Sequence, residues 1–116
     1  SKEFNFPPTD QGFFRDIKVV LLMNKRSASC SEIFAGAMQD WKYTIVGERS
    51  FGKGIGQQTF RLRPGEFITL TTAEFLVGNS QIKIDGKGVV PNVIVKDTRP
   101  EKDKQLQKAV EILDEM

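Results

Sequence analysis

The stretch that decides the fold spans residues 17–47 and reads I-K-V-V-L-L-M-N-K-R-S-A-S-C-S-E-I-F-A-G-A-M-Q-D-W-K-Y-T-I-V-G. Its first seven residues, 17–23, form a nearly continuous apolar run, which predicts a strand buried on both faces. Apolar residues then recur at helical spacing, and they are Cys30, Ile33, Phe34, Ala37, Met38 and Trp41. A second apolar run covers residues 43–46 and ends at Gly47. A strand, a helix and a strand of these lengths predict a right-handed crossover with parallel strands.

The predicted helix has a start signal and one weak position. Ser29 is followed three residues later by Glu32, which fits a capping box, so helix capping is the simplest interpretation of this serine taken alone. Gly36 lowers helix stability by about 1 kcal/mol relative to alanine. We therefore expect Gly36 to permit close packing against another element.

The chain changes character after residue 57. Residues 58–62, 67–78 and 81–84 are rich in β-forming residues, with turns at 63–66 and 78–80, and they predict antiparallel hairpins. A last strand is predicted near residues 93–95. Thr98 with Glu101 resembles a second capping box, ahead of a helical stripe that comprises Leu106, Ala109, Val110, Leu113 and Met116. The predicted fold class is therefore mixed α/β, with an irregular lead-in over residues 1–16 and one α/β unit over residues 17–116, flanked by hairpins and closed by a helix.

Composition bounds the possible functions. The chain has 116 residues, a formal net charge of +2 and dispersed charges, so no basic stripe predicts nucleic acid as a partner. It has no histidine, which excludes a Ser-His or Cys-His mechanism supplied by this chain alone. The single cysteine, Cys30, excludes an internal disulfide and a cysteine-based zinc site, and no metal is predicted.

Three side chains in the region after the first strand suggest a reaction. A serine such as Ser29 needs a base to remove its proton, and a desolvated lysine can serve. Lys53 lies between two glycines, with Phe51 and Ile55 as apolar neighbours. Gln57 lies four residues beyond Lys53, about 13 Å away in an extended strand, so only a bulge or turn would let it orient the lysine.

A helix that begins at Ser29 would also favour developing negative charge. Free N–H groups and the positive end of the helix dipole lie at this mouth. The backbone N–H of Cys30 is the candidate for one oxyanion donor. No second donor can be identified in the sequence.

The same residues allow competing interpretations. Residues 47–54 nearly match the phosphate-binding pattern G-x-x-x-x-G-K-[ST], but Gly54 has no hydroxyl and a strand-like segment follows instead of a helix, which argues against nucleotide binding. The Cys30 side chain lies on the apolar stripe and is predicted to be small and buried. Trp41 and the phenylalanines are predicted to be core residues.

Four motifs together resemble one known family. They cover residues 27–40, 46–57, 70–73 and 86–92, and they read S-A-S-C-S-E-I-F-A-G-A-M-Q-D, V-G-E-R-S-F-G-K-G-I-G-Q, L-T-T-A and G-K-G-V-V-P-N. In this order they resemble the carboxyl-terminal processing peptidases, or tail-specific proteases, over roughly residues 17–113. The resemblance implies a crotonase-like or ClpP-like α/β core. It also implies that Ser29 is the nucleophile, Lys53 the general base and Gln57 the residue that orients the lysine.

The resemblance carries further implications and some departures. Asp40 matches an aspartate of many members, but it would lie about 16 Å along the helix axis from Ser29, which implies a structural or supporting role. Cys30 stands where alanine is common, and Asn92 where aspartate is usual. The upstream Gly-Gly segment and the PDZ domain of the family are not in this sequence, so we expect the carboxyl-terminal part of a longer protease, with little activity alone.

The implied protein is an extracytoplasmic bacterial serine endopeptidase, periplasmic or membrane-associated through the parent protein. It would act on polypeptides and need no cofactor, and it could form a homo-oligomer. The alternative is a non-catalytic ligand- or peptide-binding domain on the same scaffold, as in retinoid-binding relatives.

Overall fold

The computed structural model describes residues 16–116, so the lead-in predicted for residues 1–16 lies outside them except for Asp16. The elements are β1 (Val20–Met23), α1 (Cys30–Asp40), β2 (Thr44–Gly47), β3 (Ile55–Arg63), β4 (Glu66–Glu74), β5 (Leu76–Val77), β6 (Ile82–Lys83), β7 (Val93–Ile94) and α2 (Lys104–Glu115). The mixed α/β prediction is confirmed.

A three-stranded parallel sheet in the order β1-β2-β7 forms the centre of the fold. Val20 of β1 pairs with Thr44 of β2, and Val46 of β2 pairs with Val93 of β7. Helix α1 connects β1 to β2, so the predicted crossover with parallel strands is confirmed. The central strand β2 is the most buried, since Ile45 and Val46 are fully shielded from solvent.

The core lies between this sheet, α1 and the segments around β5 and residue 89. Its buried members are Met23, Ala35, Ile45, Val77, Ile84 and Val89. A Cβ on Gly36 would lie 2.5 Å from Cγ2 of Val77, which is far inside van der Waals contact. The prediction that Gly36 permits close packing is therefore confirmed.

The buried side of α1 differs from the predicted stripe. The buried residues are Glu32, Ala35 and Gly36, whereas Cys30 is exposed and Trp41 is 61% exposed. The predictions of a buried cysteine and a core tryptophan were wrong, and Phe51, Phe60 and Phe67 are exposed as well. The middle of the predicted stripe, Ile33, Ala37 and Met38, is half-buried. The physical reason for the difference is that the Glu32 carboxylate is bound inside the protein, so the most buried side of α1 is the side that carries Glu32.

Two antiparallel hairpins confirm the prediction for the second half of the chain. Strands β3 and β4 pair with each other, and the hydroxyls of Thr59 and Thr69 lie 2.8 Å apart across them. Strands β5 and β6 form the second, shorter hairpin. The β3–β4 ribbon extends away from the core, since its residues beyond Gly56 are all exposed.

Helix α2 packs against β1 and β2 but starts later than predicted. Its N-cap is Asp103, which accepts a hydrogen bond from the N–H of Leu106 at 3.0 Å. The capping box predicted at Thr98 was wrong, because the Thr98 hydroxyl donates to the carbonyl of Lys102 instead. Neither helix within residues 16–116 combines the length and the apolar character needed to cross a membrane.

Candidate active site

Ser29 and Lys53 lie in the loops that follow β1 and β2. Because β1 and β2 are parallel neighbours, these loops leave the sheet at the same edge, where α/β folds place their sites. The two loops also touch directly, since the N–H of Phe51 donates to the carbonyl of Ser27 at 2.8 Å. Each of these residues precedes a candidate catalytic residue by two positions.

A buried carboxylate joins the same two loops. Oε2 of Glu32 accepts hydrogen bonds from the backbone N–H groups of Ser29 and Lys53, both at 2.9 Å. Oε1 accepts from the Ser50 hydroxyl at 2.6 Å and from the Gly52 N–H at 2.5 Å. The whole residue is 0% exposed. Glu32 therefore fixes the backbone of the helix mouth relative to the backbone of the lysine loop.

The environment of Glu32 keeps it ionised. Burial raises the pKa of this carboxyl, but the Ser50 hydroxyl and the N–H groups of Gly52, Lys53 and Ser29 together hold the pKa below its ordinary value. Such charge-assisted hydrogen bonds are about twice as strong as neutral ones. At neutral pH the residue is thus a carboxylate whose charge is balanced by N–H and O–H donors.

The same contacts explain why the near match to a phosphate loop is misleading. Gly52 has φ +95°, which favours glycine, and with it the N–H groups of Gly52 and Lys53 both reach the Glu32 carboxylate. The anion that this loop holds is therefore part of the protein. Residues 55–63 continue as strand β3 and not as a helix, as predicted.

Ser29 caps α1 in an unusual backbone conformation. The glutamate half of the predicted capping box is present, since the Glu32 side chain accepts from the Ser29 N–H at 2.9 Å, but the Glu32 N–H donates to the Ser29 carbonyl and not to its hydroxyl. Its φ of 58° and ψ of −119° lie in a sparsely populated region, at a cost of about 1–3 kcal/mol for a residue with a side chain. Strain of this kind is concentrated at functional sites and persists only where surrounding contacts enforce it. Here the enforcing contact is the bond to Glu32.

Some backbone N–H groups in the first turn of α1 are hydrogen-bonded within the protein, and one is not. Those of Glu32 and Ile33 bond to the carbonyl of Ser29. Within the described part of the chain, no hydrogen bond uses the N–H of Cys30. This group is therefore available to an external acceptor beside Ser29.

The side chains of Lys53 and Gln57 are not assembled with Ser29. Both residues are exposed, so the desolvation expected for Lys53 is not provided by residues 16–116. No hydrogen bond among these residues joins the Lys53 ammonium to Ser29 or to Gln57. The expected irregularity does occur, because the register shifts between Gly56 and Gln57, but the extra residue is Thr72 on the partner strand.

Asp40 lies at the carboxyl end of α1, away from Ser29. Its carboxylate accepts from the Ser80 hydroxyl and from the N–H of Asn79, both at 2.7 Å. The Ser80 hydroxyl and then the Asn79 N–H lower the pKa of Asp40. These contacts attach the helix end to the turn between β5 and β6.

Sequence reasoning missed Ser50 and the wider role of Glu32. The Ser50 hydroxyl donates to Glu32 and accepts from the N–H of Val89 at 2.7 Å, so it extends the network to the segment before β7. The sequence did contain a signal for this role. Glu32 lies in the first turn of α1, and the loop that contains Gly52 offers backbone N–H donors to a carboxylate. No group of three His, Cys, Asp or Glu side chains within residues 16–116 is arranged to hold a metal ion.

Comparisons with known proteins identify related proteases. A probable CtpA-like serine protease of Staphylococcus saprophyticus is 42% identical over 79 residues, which are 67% of this chain and 16% of that protein. A carboxy-terminal-processing protease of Bartonella bacilliformis is 42% identical over 85 residues, 72% of this chain and 19% of that protein. This chain thus spans less than a fifth of the length of these relatives.

A solved structure supports the fold. The photosystem II D1 C-terminal processing protease superposes with a TM-score of 0.63 at 34% identity, covering 81% of this chain and 24% of that one. The sequence pattern of peptidase family S41 matches residues 2–95. The chain therefore belongs to peptidase family S41.

Proposed function

We propose that this chain is the carboxyl-terminal part of the catalytic domain of a longer serine endopeptidase. The observation that carries the proposal is the shared carboxylate of Glu32, which binds the backbone N–H groups of Ser29 and Lys53 on one oxygen. This contact holds Ser29, at the start of α1, and the loop that carries Lys53 at the same edge of the sheet. Membership of a peptidase family supports the same function.

In the proposed reaction, Ser29 Oγ attacks the carbonyl carbon of a peptide bond while Lys53, as a neutral amine, accepts its proton. The oxyanion that forms accepts a hydrogen bond from the free N–H of Cys30. Lys53 then delivers the proton to the leaving amine, and water releases the acyl group from Ser29 by the reverse sequence. Gln57 orients Lys53, and Asp40 supports the far end of the helix.

The proposal also covers the setting of the reaction. The substrate is a polypeptide, and the parent protein carries the upstream half of the domain and a PDZ domain. That upstream half supplies the second oxyanion donor and shields Lys53 from water. The protein works outside the cytoplasm, as a monomer or a homo-oligomer, without a cofactor.

The test uses the full-length protein that carries this chain and an unstructured peptide. Ser29→Ala and Lys53→Ala should each lower kcat by about 10⁴-fold or more, since losing the nucleophile or base of a serine protease has effects of this size. Ser31→Ala and Lys87→Ala are matched controls on exposed neighbours, and they should retain activity. Equal turnover by the wild type and both active-site variants would instead favour a non-catalytic binding domain.

A further inference from the structure

A cavity of about 370 Å³ lies between the carboxyl-terminal half of α1, strand β6 and the segment before β7. Its lining comprises Gly36, Gln39, Arg49, Ile82, Lys83 and residues 86–90. On α1, Gly36 and Gln39 lie about 10–15 Å along the helix axis from Ser29. Because neither Ser29 nor Lys53 is part of the lining, the cavity is separate from the candidate active site.

The lining of this cavity is positively charged. Arg49, Lys83 and Lys87 contribute cations, and no aspartate or glutamate is part of the lining. The Lys83 ammonium lies 3.3 Å from Oε1 of Glu74, so this cation is paired. Within residues 16–116, neither Arg49 nor Lys87 has a carboxylate at ion-pair distance. Two unpaired cations therefore border one cavity, in a chain whose formal net charge is only +2.

The backbone around the cavity restricts how an anion can be bound. Phosphate sites usually offer several free backbone N–H groups. Here the N–H group of Gly86 donates to the carbonyl of Gly52, and those of Lys87 and Gly88 donate to the carbonyl of Ile84. An anion in the cavity must therefore be bound by side chains. A guanidinium fork and an ammonium together can bind the oxygens of a carboxylate.

The apolar part of the lining fits the carbon stem of an acidic side chain. Ile82 and Val90 are partly exposed at the cavity, and Val89 is buried. Burial of the methylene groups of a glutamate against them is favourable, whereas a phosphate ion has no such stem. A stable protein interface needs about 800 Å² on each side, far more than this cavity offers. The cavity therefore suits one acidic side chain of a polypeptide.

The wall of the cavity is fixed to the loop that precedes Lys53. The Ser50 N–H donates to the Val89 carbonyl at 3.1 Å, and the Val89 N–H donates to the Ser50 hydroxyl at 2.7 Å. A Cβ on Gly88 would lie 2.6 Å from the Ser50 carbonyl oxygen, so the two segments pack closely. The backbone of Arg49 is thus held beside residues 86–90 without a ligand. A preformed site of this kind reduces the entropy lost on binding.

We propose that this cavity binds the side-chain carboxylate of an acidic polypeptide segment. Arg49 and Lys87 bind the carboxylate oxygens, and Ile82 and Val90 contact the carbon stem. Binding here requires no cleavage of the ligand, so the inference goes beyond the proposed function and does not depend on it. The two cations take no part in proton transfer, and their loss leaves kcat for a peptide without acidic residues unchanged.

The experiment uses the full-length protein that carries this chain, with Ser29→Ala so that no peptide is cleaved. Two fluorescent peptides with amidated carboxyl ends serve as ligands, one with three consecutive glutamates and one with glutamines in their place. Fluorescence anisotropy at low ionic strength, where charge pairs are least screened, should give a Kd about 10-fold lower for the glutamate peptide. Arg49→Gln combined with Lys87→Gln should raise this Kd to that of the glutamine peptide. Equal Kd values of the two peptides for the protein without these two substitutions would overturn the inference.

Arg61→Gln combined with Lys102→Gln is the matched control. It removes the same charges from exposed residues that do not line the cavity, so the Kd of the glutamate peptide should stay unchanged. Equal weakening by both pairs of substitutions would mean that only the net charge attracts the peptide, and it would also overturn the inference.

Inorganic phosphate is the competitor that separates the two sources of negative charge. We expect phosphate to displace the glutamate peptide no better than chloride at the same ionic strength. Displacement by phosphate alone would assign the cavity to phosphate and contradict the proposed carboxylate ligand. None of these binding results bears on cleavage that depends on Ser29, so the proposed function stands or falls separately.

Discussion

Glu32 lies in the first turn of α1, where the positive end of the helix dipole meets four hydrogen-bond donors. One contact comes from the side chain of Ser50, and three come from backbone N–H groups. A buried carboxylate in such a setting is stabilised by its hydrogen-bond donors. The donors in turn need the carboxylate as their acceptor, because an unpaired donor in the protein interior is costly. The strained backbone of Ser29 is retained because of this mutual dependence.

Replacement of this carboxylate tests that dependence. In Glu32→Gln the amide nitrogen would face N–H donors, which leaves buried donors without an acceptor at about 1–3 kcal/mol each. We expect the free energy of unfolding to fall by about 3 kcal/mol, measured by urea denaturation of the chain. Glu115→Gln on exposed α2 is the control and should change it by about 0.5 kcal/mol or less. Equal stability of the two variants would contradict the role given to Glu32.

The pH dependence of stability gives a second test of the same residue. The pKa of Glu32 is lowered in the folded state from an ordinary value of 4.5. Its ionised form therefore stabilises the fold fully above about pH 4.5, and this contribution is lost as the pH falls through the lower folded value. The difference in unfolding free energy between wild type and Glu32→Gln should narrow in acid. A difference that stays constant from pH 7 to pH 3 would show that ionisation of Glu32 contributes nothing.

At the scale of elements, Asp40 connects the end of α1 to the β5–β6 turn. A carboxylate accepts from the Asn79 N–H and the Ser80 hydroxyl more strongly than an amide oxygen does. In Asp40→Asn we expect hydrogen exchange of the Asn79 amide to become about 10-fold faster, since local opening of the turn becomes easier. Amide exchange followed by NMR measures this, and Asp114→Asn on α2 is the control. An unchanged exchange rate of the Asn79 amide would show that the β5–β6 turn is stable without the Asp40 carboxylate.

The elements themselves could be predicted because their signals are local. The apolar run before Met23 and the helical spacing after Ser29 each specify one element, and together they specify the crossover. The buried side of α1 could not be predicted, because it depends on donors some twenty residues further along the chain that bind Glu32. The start of α2 was missed for a similar reason, since the Thr98 hydroxyl bonds to Lys102 instead of capping a helix.

The roles of the candidate site residues stay predictions. The identities of Ser29, Lys53 and Gln57 came from motifs. The loops that carry Ser29 and Lys53 do meet at one edge of the sheet, whereas Gln57 lies on strand β3. Their side-chain environment depends on which residues cover them, and sequence spacing carries no information about that cover. Lys53 is consequently exposed where an apolar setting was expected.

At the scale of the whole molecule, large apolar side chains are exposed on several elements within residues 16–116, among them α1 and the β3–β4 ribbon. Trp41 and Phe34 face outward on α1. On the β3–β4 ribbon, Phe60, Ile68 and Leu70 share one face by strand alternation and register, and all are exposed. Two-stranded ribbons are marginally stable alone and normally pack against further structure. These surfaces support the proposal that further parts of a longer polypeptide cover this chain.

The last prediction is that the 116-residue chain by itself has little proteolytic activity. Within residues 16–116, Lys53 is exposed and lacks a hydrogen bond to Ser29, and the Cys30 N–H is the one oxyanion donor we identify. Loss of a single oxyanion donor alone lowers kcat by about 10²–10³-fold. We expect the purified chain to cleave an unstructured peptide no faster than its own Ser29→Ala variant, with circular dichroism showing that both are folded. Rapid cleavage that disappears in Ser29→Ala would mean that this chain holds a complete active site.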